Sequence, residues 1–403
     1  MLTFNYEAKD RASGKHVKST VQADTEAVAY KLLIDQGYTP TKINEQGKNQ
    51  GFLGGITNRI KTKDRVVFSR QLATLIGAGL PLSQSLHTVV EQTDNTRMKS
   101  VVQDILTSVE GGKALAEAFS RHPDVFDSVF ISLVEAGEAS GTLDRALERI
   151  AAQQEKDAEM MGKIKGAMIY PAIVMIVILG VMVFMLFTIV PQVEKLYSDL
   201  NQELPFISQI MVGTASLILK FWWAVPIILG AIIYFSVQYF KTEGGQRLMD
   251  SVKLNFPLFG PLFRKLYMAR FTRTGSTLLS TGVPMLDALE ICAKSVNNSY
   301  VGNSISRAAD KVKNGKGLAE SLENEDYILA LAPQMIGIGE KSGKVDEMMA
   351  KTATVYENEL DSAIRAISTI IEPVLMVVLA IAAGGMVAAI LLPIYQLVGN
   401  IKV

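Results

Sequence analysis

Phe68-Ser-Arg70, Gly79-Leu-Pro-Leu82 and Gly112-Lys-Ala-Leu-Ala-Glu117 each occur a second time, at one constant offset, as Phe271-Thr-Arg273, Gly282-Val-Pro-Met285 and Gly315-Lys-Gly-Leu-Ala-Glu320. After a one-residue slip, Gly137-Glu-Ala-Ser-Gly141 returns as Gly339-Glu-Lys-Ser-Gly343, and Pro171 and Pro191 return as Pro373 and Pro393. Each proline pair brackets an uninterrupted apolar run. The stretch from Phe68 to Pro191 is therefore a unit used twice: a helical module followed by one membrane-length segment. Self-similarity on this scale sets the architecture before any local propensity is weighed.

Inside the unit the apolar residues keep a helical period. Phe68, Leu72 and Leu75 form one stripe, and Gly77-Ala-Gly79 stops that helix. Pro81 stands at an expected first helical position, ahead of Leu82, Leu86, Val89 and Val90. Met98, Val102, Ile105 and Val109 make a third helix, and Gly111-Gly112 breaks it. A short helix carries Leu115 and Phe119. A fifth carries Phe126, Phe130, Leu133 and Val134, and a sixth opens at Gly141-Thr-Leu-Asp144. The expectation is a six-helix bundle over 62–168 and a related bundle, after a linker, within 241–372. Cys292 falls at the equivalent of Val89, on the buried stripe, so it reads as a core thiol.

Three segments without Asp, Glu, Lys, Arg or His can span a bilayer: 169–190, 221–240 and 373–398. Twenty residues of helix cover the roughly 30 Å hydrocarbon core. Trp222, Trp223 and Tyr239 lie near the ends of the second, where an aromatic belt belongs. Lys163 and Lys165 precede the first span, and Lys241, Arg247 and Lys253 follow the second. The connection 191–220 offsets Lys195 and Lys220 with Glu194, Asp199 and Glu203. The positive-inside bias places both bundles in the cytoplasm, and 191–220 with the tail 399–403 outside. Ala380, Gly384 and Ala388 recur every four residues in the third span, as do Gly385 and Ala389. This small-residue face permits close helix packing.

The first 46 residues form a separate α+β unit. Phe4-Asn-Tyr-Glu-Ala8 and His16–Val21 alternate around the turn residues Asp10-Arg-Ala-Ser-Gly14, a hairpin pattern. Thr25–Gln36 is helical in period, opened by Asp24-Thr25 and closed by Gly37, and Tyr38-Thr-Pro-Thr-Lys-Ile43 reads as a last strand. Residues 47–61, rich in Gly, Asn and Gln to Gly55, form a linker.

Composition narrows the function. The 403 residues carry 40 basic and 40 acidic side chains, so nothing marks a nucleic-acid binder. The N-terminus has neither the basic nor the apolar region of a cleaved signal peptide. One cysteine excludes an intrachain disulfide. His16, His87 and His122 lie in separate elements without a partner at metal-ligand spacing. Gly339-Glu-Lys-Ser-Gly-Lys344 resembles a phosphate loop, but Ile338 stands where the first glycine is needed and Val345 where Ser or Thr is needed. No catalytic set, cofactor or metal is expected. The uncharged spans weigh against the rival class, a transporter or channel subunit.

The most specific polar features are the repeated turns. Glu138, Ser140 and Gly141, with Glu340, Ser342 and Gly343, permit two readings. In one, glycine ends a helix, serine caps, and Asp144 or Asp346 favours the next N-terminus. In the other, the turns are a partner-docking surface, to which Lys113 and Lys316 would belong. A divalent cation on the carboxylates lacks the ligand count it needs.

Taken together, these motifs resemble the type II secretion system F family, in its type IV pilus assembly branch. Phe4-x-Tyr-x-Ala-x-Asp10, with Gly14, Ala27, Leu33, Gly37, Pro40 and Ile43, resembles that branch's head region. The resemblance covers essentially the whole chain. It implies a non-enzymatic inner-membrane platform, contacting a cytoplasmic hexameric assembly ATPase, the transmembrane helices of pilins or pseudopilins, other inner-membrane assembly components and lipid, and a homo-oligomer. The second copy departs where Gly275 replaces the equivalent of Leu72, and over 324–333.

Overall fold

A computed structural model describes residues 2–10, 16–23, 26–35, 38–45, 59–199, 213, 221, 223–257 and 259–400. At the N-terminus β1 (Leu2–Asp10), β2 (His16–Ala23) and β3 (Tyr38–Glu45) form an antiparallel sheet in the order β2-β1-β3, with α1 (Glu26–Asp35) between β2 and β3. Phe4 pairs with Val21 on one side and Glu45 on the other. The turn at 11–15, the residues flanking α1 and linker positions 46–58 lie outside the described residues.

Six helices follow: α2 (Thr62–Gly77), α3 (Leu82–Gln92), α4 (Thr96–Glu110), α5 (Leu115–Ser120), α6 (Ser128–Ser140) and α7 (Leu143–Asp199). Their apolar stripes converge, and Phe68, Leu72, Leu86, Val89, Met98, Ile105 and Leu147 are fully or almost fully buried. Phe68 packs against Phe119 and Phe126, and these two against Phe130, with ring centroids 4.6–6.1 Å apart. Such tilted and edge-on pairs add to burial because ring edges meet ring faces. Pro81 is not the first helical residue of α3. Its ψ of 145° makes it the N-cap, as Pro284 is in the second copy.

Next come α8 (Ala224–Tyr239) and α9 (Glu243–Asn255). The expected linker after residue 241 is thus a helix over most of its length. The second bundle is α10 (Gly260–Ser280), α11 (Met285–Ser295), α12 (Ser299–Lys313), α13 (Leu318–Glu323), α14 (Leu331–Ser342) and α15 (Val345–Asn400). It repeats the first helix for helix. Where the copies differ, neighbours compensate. A Cβ on Gly275 would sit 2.3 Å from Met349 Cε, so the longer methionine fills the room vacated by the missing leucine. In the diverged stretch the N-cap carboxylate of Asp127, which accepts from Phe130 N–H, has no counterpart at Ala330, and α14 starts there without a side-chain cap.

The last helix of each bundle continues into its apolar segment. α7 has 57 residues and α15 has 56, a length of about 85 Å each. Pro171 and Pro191 lie inside α7. The boundary expected at residue 190 is therefore not a helix end, and the helix carries on to Asp199. Each proline removes one backbone donor, yet the helix runs through both without a break. Residues 200–212 and 214–220, most of the expected external connection, lie outside the described residues, as do 401–403. Among the described residues, α7 and α15 are long and apolar enough to cross a membrane.

The buried residues of both bundles form one contiguous core. Lys163 joins the two long helices, reaching Glu159 on its own helix at 2.9 Å and Asp361 on α15 at 2.7 Å. Glu159 and Asp361 are equivalent positions of the repeat, so one ammonium bridges the two copies. Gln153 Nε2 donates to Thr274 Oγ1 at 2.9 Å, and Arg149 donates to Ser280.

Candidate docking surface

The turn Gly137-Glu-x-Ser-Gly141 resolves into four separate tasks. Gly137 lets α6 and α7 meet: a Cβ there would lie 2.5 Å from Ala146 Cβ. Gly141, at φ 66°, supplies the left-handed C-cap, with its own N–H and that of Thr142 closing on the carbonyls of Glu138 and Gly137. Ser140 Oγ donates to the Ala136 carbonyl at 2.7 Å and lies 2.8 Å from Thr142 Oγ1. The serine is thus not an N-cap of the following helix; its hydroxyl folds back on its own.

Glu138 points the other way, onto α5. Its Oε1 accepts from Leu115 N–H at 2.8 Å and its Oε2 from Ala116 N–H at 3.1 Å. The residue at the N-cap of α5 is Ala114, which has no oxygen to offer. A carboxylate 22 or 23 residues away therefore satisfies the helix start, where both orphan donors and the dipole favour negative charge. The second copy repeats the device. Gly343 has φ 70°, Ser342 Oγ donates to Ile338 O at 2.9 Å, and Glu340 accepts from Leu318 N–H at 2.5 Å and Ala319 N–H at 3.2 Å. A Cβ on Gly339 would lie 2.7 Å from Val345 Cα. The segment Gly339–Lys344 is the last turn of α14 and its two-residue connection to α15, and a helix, not a strand, leads into it.

Lys113 and Lys316 are exposed and make only short-range pairs, with Glu117 at 2.6 Å and Glu320 at 3.1 Å, four residues on. They stand at the same end of their bundles as the glutamates, because the short helix begins just after them. Ala380, Gly384 and Ala388 are exposed on α15, and a Cβ on Gly384 would meet nothing within 4 Å.

Two arrangements carry no repeat signal and escape a reading of the sequence. An open groove of about 510 Å³ lies beside α5, lined by Ala116, Glu117, Ile131, Glu135, Glu138 and Ala139. Its counterpart cannot be the same surface, since Glu135 and Ala139 correspond to Gly337 and Lys341. Between the bundles, Arg270 Nε lies 3.7 Å from Asp157 Oδ1 at a cavity of about 50 Å³ that Gln153 and Thr274 also line. Protein surrounds the Asp157 carboxyl and pushes its pKa up against the pull of Arg270. The cavity leaves 39 % of its side chain accessible, which moderates that push.

Comparison with known proteins follows the repeat. The family described as type II secretion system (T2SS), protein F matches residues 68–191 and again 271–393, the duplicated unit, and that protein's N-terminal domain matches 1–44. The chain is 36% identical over 409 residues to a type IV pilus assembly protein PilC of Thermus thermophilus, covering 100% of both. It is 38% identical to a PilC of Myxococcus xanthus over 99% of this chain and 96% of that one. A type II secretion system protein F of Vibrio cholerae is 30% identical over 98% of each. With both copies of the repeat and the N-terminal unit matched, and identity sustained over full length, the chain belongs to the type II secretion system protein F family.

Proposed function

We propose that the protein is a non-enzymatic inner-membrane platform of a type IV pilus or type II secretion machine, which passes the motion of a cytoplasmic assembly ATPase to pilin or pseudopilin subunits. One observation carries this reading: the last helix of each bundle is continuous with its apolar segment. A helix that runs unbroken from bundle to apolar segment, past the prolines of α7 included, acts as one element, so a force on the bundle is carried toward the membrane along it. The pairing of the two long helices through Lys163 makes them respond together.

In this reading α7, α8 and α15 each cross the bilayer once, both bundles face the cytoplasm, and the N-terminal α+β unit belongs to the cytoplasmic part. The ATPase grips bundle ends, where the Lys113 turn and the acidic groove beside α5 offer polar side chains not fully committed to the fold. Glu138 and Glu340 hold that end in shape. The small-residue face of α15 is left for another helix, from a second copy or a pilin.

The test is a joint. Insertion of Gly-Ser-Gly between Lys165 and Gly166 is expected to preserve membrane insertion and ATPase co-purification while abolishing pilus assembly or secretion. Normal assembly by that variant refutes transmission along the helix. Lys113→Glu, in turn, is expected to lower ATPase capture by the full-length protein; unchanged capture removes Lys113 from the docking surface.

A further inference from the structure

The turn between α8 and α9 is held tightly. Thr242 N–H and Thr242 Oγ1 both donate to the Tyr239 carbonyl, at 3.0 and 2.7 Å, and Gly245 N–H donates to Thr242 Oγ1 at 3.2 Å. A Cβ on Gly245 would stand 2.0 Å from that same carbonyl, so no other residue fits there without shifting the backbone. One face of α9 docks on the second bundle. Leu254 is buried, Asp250 accepts from Ser299 N–H at 2.9 Å, and Asn298 Nδ2 donates to the Asp250 carbonyl at 3.3 Å. The other face carries Leu248, Val252 and, at the helix end, Phe256, spaced four apart and each about half exposed. Lys241, in the turn before α9, is exposed, while on the helix Arg247 pairs with Glu243 at 3.8 Å and Lys253 with Asp250 at 3.7 Å.

We propose that α9 is an interfacial helix, with Leu248, Val252 and Phe256 seated in the headgroup and acyl boundary of the cytoplasmic leaflet and with Lys241, at the junction with α8, meeting anionic lipid. The inference rests on the reading that α8 crosses the membrane. Given that crossing, a turn of three residues places α9 at the surface, and its rigid cap and docked face leave the apolar stripe half exposed among the described residues. An apolar stripe joined to a span by a short turn that carries an exposed lysine fits a lipid surface. The second bundle is thereby seated on the bilayer at a fixed height and orientation.

The experiment uses the full-length protein with Cys292→Ala, carrying a single environment-sensitive fluorophore on Val252→Cys, Gln246→Cys or Ile232→Cys. Each is reconstituted at one chain per nanodisc of phosphatidylcholine and phosphatidylglycerol. The label at 252 is expected to be quenched by a nitroxide high on the acyl chain and screened from aqueous iodide. The label at 246, on the opposite side of the helix, should show the reverse, and the label at 232 should respond to a nitroxide deep in the acyl chain. Leu248→Asp, an exposed change, should lower the shallow quenching at 252 several-fold. Equal iodide access at 252 and 246, with 232 still quenched from the deep position, overturns the inference and leaves the span intact. Loss of deep quenching at 232 overturns the span and the inference with it. Protection at 252 that arises only in discs holding two chains assigns the stripe to a second copy and also overturns the proposal.

Discussion

Glu138 shows how an exposed residue can be structural. Its carboxylate holds two backbone N–H groups of a short helix that lacks its own cap. Charge reversal at Glu138 is therefore not the silent surface change its position in a turn suggests. Glu138→Lys is expected to cost about 1–3 kcal/mol, the range for losing charge-assisted bonds to orphan donors, and to lower the thermal unfolding temperature in detergent. Lys113→Glu, which breaks only an exposed pair, should stay within about 0.5 kcal/mol. Equal unfolding temperatures for the two variants would show that the cap contributes nothing. Gly137→Ala pushes a methyl group onto Ala146 and should cost about 1–3 kcal/mol by overpacking. Wild-type stability there would mean that α6 and α7 can separate freely.

Among the helices, α2 and α7 are clipped together by Arg70. Its guanidinium donates to Glu155 through Nε and Nη2, at 2.7 and 2.6 Å, and through Nη1 to Glu148 at 2.6 Å. The Arg70 bonds hold the Glu155 carboxyl below its ordinary value of 4.5, against a smaller opposing push from burial. A depressed carboxylate stabilises the fold at pH above its ordinary value, and that stability is lost as pH falls below it. Both side chains are more than a third exposed, so water screens the pair. Glu155→Gln should cost about 0.5–1 kcal/mol at neutral pH. The unfolding curves of variant and parent should converge as pH drops below the ordinary carboxylate range. A gap that is constant with pH would assign the loss to packing instead. The equivalent clip, Arg273 to Glu357 at 2.8 Å, is less exposed and ties α10 to α15.

At the scale of the whole molecule, the two copies meet through residues that the repeat does not predict. Lys163→Glu places three carboxylates together at the junction of α7 and α15 and should weaken inter-bundle association, read as faster proteolysis between the bundles. Adding Asp361→Lys should restore resistance in part; a double variant no better than the single would remove the pair from the interface. Topology is tested by single cysteines at Ser198 and Ser251 in a Cys292→Ala background. An impermeant maleimide should label 198 and not 251 in intact cells. The opposite pattern refutes the cytoplasmic placement of the bundles.

The sequence by itself determined the duplication, the helix periods, the break points and the apolar lengths of this protein. These depend on local chemistry: the spacing of Phe68, Leu72 and Leu75, the glycines that end helices, and runs without charge. Family membership followed from the same motifs. Only the tertiary structure decided what the repeated turns are for. The partners of Glu138 lie on another helix, and Ser140 chooses its own carbonyl over the next N-terminus. It also decided that Pro191 does not end α7, because a proline removes one helix bond and leaves the bonds on either side of it free to continue. The contact of Lys163 with Asp361 and the apolar stripe of α9 left outside the bundle depend on how separate helices are placed. No local pattern encodes that placement, since it is set by the packing of cores far apart in the chain.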